Sequence, residues 1–242
     1  MKESLKFSVV ISVYNDVVNI EDALKSVFSQ SFKSYELIVI DGGSNDGTFE
    51  LLDKYKSRFT YFISEKDSGI SEAWNKGLAK AEGDFVVILN SDDYWPPNYL
   101  ESISAQLPVK EKRKALFYGN TQMVKGEEKT KLVCKKYIEP FVGFLGFRFM
   151  HTSLVASKEV YSMVGEFNTS VRIAIDTEWL MRARMKNIKF LKLNHTNYMR
   201  EGGVSDLNQN KAFSEFLYFG KSMGFLKLPT KFYLKVRDLI VG

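Results

Sequence analysis

Asp92 and Asp93 stand side by side just past the apolar run Val86-Val-Ile-Leu89, with only Asn90 and Ser91 between. Adjacent carboxylates repel, and each is costlier beside a low-dielectric core. Such a pair either points into water, in a solvated loop leading to Pro96-Pro97, or shares a positive partner. Mg2+ and Mn2+ suit the second case, because they take oxygen ligands and bind through one or two carboxylates together with substrate phosphates. Other polar groups occupy equivalent places. Tyr14-Asn15-Asp16 follows Phe7–Val13, Asp41 follows Tyr35–Ile40, and Asp67 lies beyond Phe59–Ile63.

The apolar runs that carry these groups are rich in β-branched residues, which predicts strands at Phe7–Val13, Tyr35–Ile40, Phe59–Ile63 and Phe85–Leu89. Helical spacing fills the gaps. Asn19 stands as an N-cap before Ile20, Leu24, Val27 and Phe28; Thr48–Tyr55 follows; Ser71 caps a third helix through Ala81, stopped by Gly83. Near-continuous apolar strands alternating with helices predict a mostly parallel sheet covered on both faces, an α/β fold. Ligands of such sheets sit outside the carboxyl ends of the strands, where all four polar turns converge. Beyond residue 110 the pattern changes. It predicts a strand at Ala115–Gly119 and a hairpin of Thr121–Val124 with Thr130–Val133. A strand at Thr152–Ala156 and a helix at Asp176–Lys186 follow. A strand pair at Lys189–Leu193 and Asn197–Met199 completes this half. The expected organisation is one domain over residues 1–206, with halves 1–110 and 111–206, and a tail at 207–242.

Several chemistries are excluded. The first turn, Val13-Tyr-Asn-Asp-Val17, has no glycine for a dinucleotide pyrophosphate, and no phosphate-binding Gly-x-x-x-x-Gly-Lys run occurs. A diphosphate here would need a cation held by Asp92 and Asp93. Asp41-Gly-Gly-Ser-Asn-Asp-Gly47 fails as a calcium loop, since the EF-hand register puts Gly42 first and Asp53 last. One cysteine, Cys134, and two histidines, His151 and His195, leave no zinc cluster and fit a reducing compartment. No segment approaches the roughly 20 apolar residues that span a bilayer. Of the net charge of +5, residues 211–242 carry +4, so the main domain is not the basic surface of a nucleic-acid binder.

Taken together, the motifs resemble glycosyltransferase family 2, the inverting GT-A enzymes, over roughly residues 6–206. The matching stretches are Ser8-Val-Val-Ile-Ser-Val-Tyr-Asn15, Leu37-Ile-Val-Ile-Asp-Gly-Gly-Ser-Asn-Asp-Gly-Thr48, Ser64-Glu-Lys-Asp-Ser-Gly-Ile70 with Ala73-Trp-Asn-Lys-Gly77, and Leu89-Asn-Ser-Asp-Asp-Tyr94. Gly165-Glu-Phe167, Asp176-Thr-Glu-Trp-Leu-Met-Arg182 and Gly202-Gly-Val-Ser205 continue the series. The resemblance implies a GT-A fold. It implies that Tyr14 stacks on the nucleotide base and Asp41 bonds to it. It places Asp67 and Asn75 on the ribose or sugar side, and Asp92 and Asp93 on a Mg2+ or Mn2+ that holds the donor diphosphate. Asp176 matches the catalytic base, although it is also well placed as the N-cap of its own helix. Glu178 is the alternative base, and His151, Trp95 and Glu178 are expected to line the acceptor side. Trp74 and Trp179 read as packing residues. Three positions depart from the family: Ser12 for a proline, Asn90 for the first aspartate of the metal motif, and Ile175 for an acid before the base.

The implied reaction moves a sugar, with inversion, from a UDP-hexose or UDP-N-acetylhexosamine to a hydroxyl. The implied acceptor is a glycan or lipid-linked oligosaccharide of an envelope polysaccharide such as O-antigen or capsule. Such an enzyme is expected in the cytoplasm or peripherally on the inner face of the plasma membrane, with no nucleic-acid partner. Two other classes fit parts of the sequence: a non-catalytic sugar-nucleotide or glycan binder that kept the fold, and a nucleotidyltransferase. The tail mixes aromatics with lysines and arginines, as in Phe213-Ser-Glu-Phe-Leu-Tyr-Phe219 and Lys231-Phe-Tyr-Leu-Lys-Val-Arg237. It reads either as a helix packed on the domain or as a segment lying on an anionic membrane surface. On the second reading, chain beyond about Asn210 is dispensable for transfer to a soluble acceptor.

Overall fold

The computed structural model describes residues 5–108, 111, 114–133, 147, 149–203 and 207–226. Eight strands form one sheet: β1 (Phe7–Val13), β2 (Tyr35–Asp41), β3 (Tyr61–Ser64), β4 (Phe85–Asn90), β5 (Ala115–Lys125), β6 (Glu128–Val133), β7 (Val155–Ser157) and β8 (Lys189–Arg200). The order is β3-β2-β1-β4-β7-β5-β6, with β8 pairing β5. The first four strands are parallel, β7 runs antiparallel to β4 and β5, and β8 is parallel to β5. This mostly parallel sheet is the expected α/β architecture.

Both faces of the central strands are buried, which is why their sequences are apolar throughout rather than alternating. Alternate residues serve two cores: Val10, Ile38, Ile40 and Ile88 point to one, and Ile11, Leu37, Val39 and Leu89 to the other. Helix α1 (Ile20–Phe28) lays Ile20, Ala23, Leu24 and Val27 on the second face. Leu52 of α2 (Thr48–Tyr55) and Tyr99, Leu100 and Ile103 of α4 (Tyr99–Ser104) join it. The first face is covered by α3 (Ile70–Lys80), α5 (Lys158–Val164) and α6 (Ile175–Met185). Trp74 and Trp179 pack there as read from the sequence. Helix α7 (Gln209–Ser222) adds a small cluster with Leu217 and Leu226 buried. Phe219 of the same helix packs against the first core, which docks α7 on the domain. Among the described residues no helix is long and apolar enough to cross a membrane. The basic stretch Lys231–Arg237 and Cys134 lie outside the described residues.

Several local expectations are corrected. Asn19 occupies the N-cap position of α1, but its side chain donates to Asp16 Oδ1 (2.7 Å) and caps nothing. Helix α3 begins after Gly69, and Ser71 lies buried inside it with its hydroxyl on the Val171 carbonyl at 3.5 Å. Gly83 is not a helix stop. A Cβ there would come within 2.7 Å of the β1 backbone, so its role is close approach. The third strand starts late because the short 3-10 turn Lys56–Arg58 extends α2. His151–Ser153 is a 3-10 turn, which leaves only Val155–Ser157 as strand. The two short strands expected at Ala115–Gly119 and Thr121–Val124 are one long β5, and its hairpin turns at Gly126, whose φ of 60° favours glycine. The pair expected from Lys189 to Met199 is the single strand β8, bulged opposite Tyr118 and Asn120. Gln106 meets the polar Asn194 at that break, accepting from its N–H (2.8 Å) and donating to its carbonyl (3.1 Å).

His195, in β8, is buried against Gly119 and edge-on to Tyr99. Its Nε2 lies 3.0 Å from the Ser153 carbonyl, and its Nδ1 has no hydrogen-bond partner. Burial pushes its pKa from 6.5 down to about 4. The unfolded chain therefore takes up a proton that the folded one refuses. Stability from this group is complete above 6.5 and is lost as pH falls toward 4, by about 1.4 kcal/mol per pH unit. Urea titrations at pH 6.5 and 5 are expected to show the parent chain losing about 1–2 kcal/mol more than His195→Gln. Parallel losses in the two proteins would mean that the folded state accommodates the charged ring.

Candidate active site

Loops at the carboxyl ends of β1 and β2 are laced together. The Asn15 N–H donates to Ser44 Oγ (2.8 Å), and Asn45 N–H donates to Asn15 Oδ1 (2.9 Å). Val17 N–H donates to Asp46 Oδ2 (3.1 Å), and Asp16 N–H to Thr48 Oγ1 (3.0 Å). Asn15 takes φ 50°, a left-handed conformation that asparagine tolerates. The run Asp41–Thr48 thus uses its short polar side chains as loop framework. Tyr14, at the tip, is 63% exposed.

Asp41 belongs to that framework and is not presented to the cleft. It is fully buried, and its carboxylate accepts from Ser44 N–H (3.2 Å), Ser44 Oγ (2.5 Å) and Ser64 Oγ (2.5 Å). Asp67 is half-buried beside Gly42 and accepts from Gly69 N–H at 2.9 Å. Burial raises its pKa, with the neighbouring Glu72 and Asp41 adding to the rise.

The two adjacent carboxylates diverge. Asp93 is 1% exposed and turns inward, accepting from the Arg200 N–H (3.1 Å) and weakly from Asn90 Nδ2 (3.4 Å). Burial first, and then the Asp92 charge, push its pKa well above the usual carboxylate range. Asp92 remains half-buried at the rim, against Gly203. Burial raises its pKa too; the Asp16 charge adds to this, and His151 and Arg200 oppose it. Arg200 ties the junction. Its guanidinium donates to the Asp92 carbonyl (2.7 Å) and to Asp22 (2.6 Å), and lies 5.0 Å from the Tyr94 ring centroid. Tyr94 stacks on Tyr198 at 4.9 Å and pairs with it through two backbone hydrogen bonds. Of the expected metal pair, then, only Asp92 reaches the cleft.

Among the described residues no group of three or more His, Cys, Asp or Glu stands ready to hold a metal. Yet Asn90 Oδ1 is buried with no hydrogen-bond partner, because its Nδ2 faces Asp93 and His151. That orphaned amide oxygen, two residues before Asp92 in the same turn, and the half-buried Asp92 carboxylate are both hard-oxygen donors of the kind Mg2+ or Mn2+ takes when substrate phosphates complete the shell.

On the acceptor side, His151 Nε2 lies 3.3 Å from Asn90 Nδ2 and His151 Nδ1 lies 3.6 Å from Asp176 Oδ2. Asp176 and His151 line a pocket with Trp74, Leu154, Tyr161, Phe167 and Trp179. Within that apolar wall Trp74 Nε1 has no partner. Asp176 sits in the first turn of α6 but is not its N-cap; that position is Ala174. Three expected site residues are held by contacts within the protein. Trp95 is 2% exposed and stacks on Tyr99 in the core. Glu178 is buried in a two-pronged pair with Arg182 (2.8 and 2.9 Å), whose guanidinium also holds the Val164 and Glu166 carbonyls. Asn75 holds the backbone of Phe167, donating to its carbonyl (2.9 Å) and accepting from its N–H (2.8 Å). Sequence reasoning passed over Arg200, and it placed Asp16 at the strand ends without giving it a role. Asp16 bonds Ser91 Oγ (2.7 Å) and so joins the first loop to the Asp92 loop. The signal for Arg200 was faint: a cation at a strand end, whose partners are about a hundred residues away.

This mostly parallel sheet, with Asp92 at its carboxyl edge and Asp176 on an aromatic pocket beside it, is of the GT-A fold. The sequence model described as Glycosyl transferase family 2 matches residues 8–185, and the chain belongs to that family. Among curated relatives, the putative teichuronic acid biosynthesis glycosyltransferase TuaG of Bacillus subtilis is 39% identical over 97 residues, covering 39% of this chain and 38% of that protein. A cholesterol galactosyltransferase of Borreliella burgdorferi is 34% identical over 98 residues, covering 40% of this chain and 27% of that one. The chain thus spans well under half the length of these relatives. Staphylococcus aureus TarS 1-349 in complex with UDP-GlcNAc superposes with a TM-score of 0.71 at 18% identity, over 96% of this chain and 70% of that one. The mannosyltransferase PcManGT of Pyrobaculum calidifontis, in complex with GDP-Man and Mn2+, gives 0.68 at 17%, over 98% and 69%. Both likenesses are of fold.

Asp41 is turned inward onto Ser44 and Ser64, so its removal acts on the fold. Asp41→Ala strands two serine hydroxyls and an N–H without their acceptor, and is expected to destabilise by about 1–3 kcal/mol in urea unfolding. Unchanged stability would show that the carboxylate is free to serve a ligand instead.

Proposed function

We propose that this chain transfers a sugar from a nucleotide-sugar donor to an acceptor hydroxyl with inversion, and that Asp176 is the general base. The observation that carries this reading is Asp176 beside His151 at the mouth of the aromatic pocket, with Asn90 linking His151 to the Asp92 loop. Donor and acceptor would then meet over the sheet edge, within reach of one carboxylate.

The donor is proposed to be a UDP-hexose or UDP-N-acetylhexosamine, and the acceptor a glycan or lipid-linked oligosaccharide. The UDP-GlcNAc and GDP-Man complexes of the two fold neighbours support the donor class. The wall-polymer naming of TuaG supports the acceptor class. Tyr14 would stack on the base, and the laced loops that Asp41 organises would frame the nucleotide. Asp67 would meet the ribose or sugar. Asp92 and Asn90 would hold Mg2+ or Mn2+. A bound cation of that kind neutralises the diphosphate and stabilises it as a leaving group.

Asp176 takes the proton from the acceptor hydroxyl as its oxygen bonds to the anomeric carbon. The bond from that carbon to the diphosphate oxygen breaks on the opposite side, and the electron pair leaves with the nucleotide. Attack from the far side inverts the centre. His151, beside Asp176, orients the carboxylate, and the aromatic pocket excludes competing water.

The test is release of nucleotide from a panel of UDP- and GDP-sugars in Mn2+, with and without candidate acceptors. Asp176→Asn keeps the shape but cannot take the proton. It is expected to cut turnover by about 10²–10⁴ while leaving donor affinity unchanged. Near-normal turnover in that variant, or no release from any donor by the parent chain, would overturn the proposal.

A further inference from the structure

Helix α6 begins without a cap of its own. Its N-cap is Ala174, which has no side chain to accept the orphan N–H groups of the first turn. What fixes this end of the helix is a clamp from the C-terminal segment on the residues that lead into it, up to and including the N-cap. Glu215, on α7, takes three consecutive backbone N–H groups: Arg172 at 3.2 Å on Oε1, and Ile173 at 2.9 Å and Ala174 at 2.8 Å on Oε2. Asp176 lies two residues further on. The same loop reaches the donor side, because the Arg172 guanidinium donates to the carbonyl of Ser68, next to Asp67.

We propose that Glu215 is a positioning residue for the general base: the C-terminal helix fixes the N-terminus of α6, and with it the placement of Asp176. This rests on Asp176 being the base. Helix α7 is built to deliver that carboxylate. Leu217 and Leu226 are buried beneath it, and Gly220 lets Leu226 and Met181 of α6 approach, since a Cβ there would fall 2.6 Å from Leu226 Cδ1 and 3.5 Å from Met181 Cε. A carboxylate shared by three amides holds the loop in one conformation. Released, the first turn of α6 frays and Asp176 loses its register against His151. Displacement of a reacting group by about 1 Å costs on the order of 10²-fold in rate. On this proposal chain beyond Asn210 is needed for transfer, since Glu215 lies beyond that point.

The experiment uses the full chain with Mn2+ and the nucleotide sugar of the panel that releases nucleotide fastest. Glu215→Ala, Glu215→Gln, Leu217→Ala and Asp176→Asn are compared for turnover, donor affinity, melting temperature and amide hydrogen exchange. Glu215→Ala is expected to lower kcat by about 10–100-fold with donor affinity unchanged, and to speed exchange at Arg172–Thr177. Glu215→Gln, whose amide oxygen still accepts, is expected to fall between Glu215→Ala and the parent. Leu217→Ala loosens the packing of the same helix but keeps the carboxylate, and is expected to stay within a few-fold of parent turnover at a comparable loss of melting temperature. Turnover in Glu215→Ala that is near normal, or no lower than in Leu217→Ala at equal melting temperature, while Asp176→Asn is inactive, overturns the positioning role alone. Near-normal turnover in Asp176→Asn overturns the base assignment and this inference with it.

Discussion

The site depends on how the end of β4 is tied to the end of β8. A strand that ends in two adjacent carboxylates is unstable unless the charges are separated. Here Asp93 is drawn inward onto the Arg200 N–H, and the Arg200 guanidinium takes the Asp92 carbonyl. The Tyr94–Tyr198 stack, closed by two backbone hydrogen bonds, keeps those strand ends together. Asp92 is left at the rim, and Asn90, in the same turn, keeps an unpartnered oxygen. One negative charge faces the cleft instead of two. The pair is thus an anchor and a ligand rather than two equal ligands.

The same economy joins the halves of the molecule. The strands that hold the donor loops are local and parallel, but the acceptor side is hung on them by side chains reaching across the sequence. Asn75 of α3 holds the Phe167 backbone, Arg172 holds Ser68, and His151 links Asn90 to Asp176. Each is a polar contact between a donor-side and an acceptor-side segment. In the Ala73–Gly77 motif, Asn75 and Gly77 therefore act as joints: a Cβ on Gly77 would come within 2.3 Å of Val10 Cγ1, so the glycine lets α3 lie directly on β1.

What was legible in the sequence follows from the range of the interactions involved. The first four strands and the helices between them were readable because burial on both faces writes itself into local composition. Asp92 was legible as a candidate because a carboxylate at a strand end is a local signal, and Asp176 because the motif around it resembles the family's. Which way Asp93, Asp41 and Glu178 turn was not legible. Their partners, Arg200, Ser64 and Arg182, are met only once strands or helical turns are assembled, and an inward carboxylate looks like an outward one in sequence. Trp95 misled for the same reason, since an aromatic next to a polar loop serves equally as platform or core. β8 was read as two strands because Asn194-His195-Thr196 interrupts the apolar pattern, yet the bulge against β5 carries the strand through.

The most direct test of this division of labour is calorimetric binding of UDP to Asp92→Asn and Asp93→Asn, each in Mn2+ and in EDTA. Asp93→Asn keeps an acceptor for the Arg200 N–H and is expected to retain the Mn2+-dependent gain in affinity. Asp92→Asn is expected to bind UDP no better with Mn2+ than without. Loss of the Mn2+ effect in Asp93→Asn but not in Asp92→Asn, or equal affinity of the parent chain in Mn2+ and EDTA, would contradict the account.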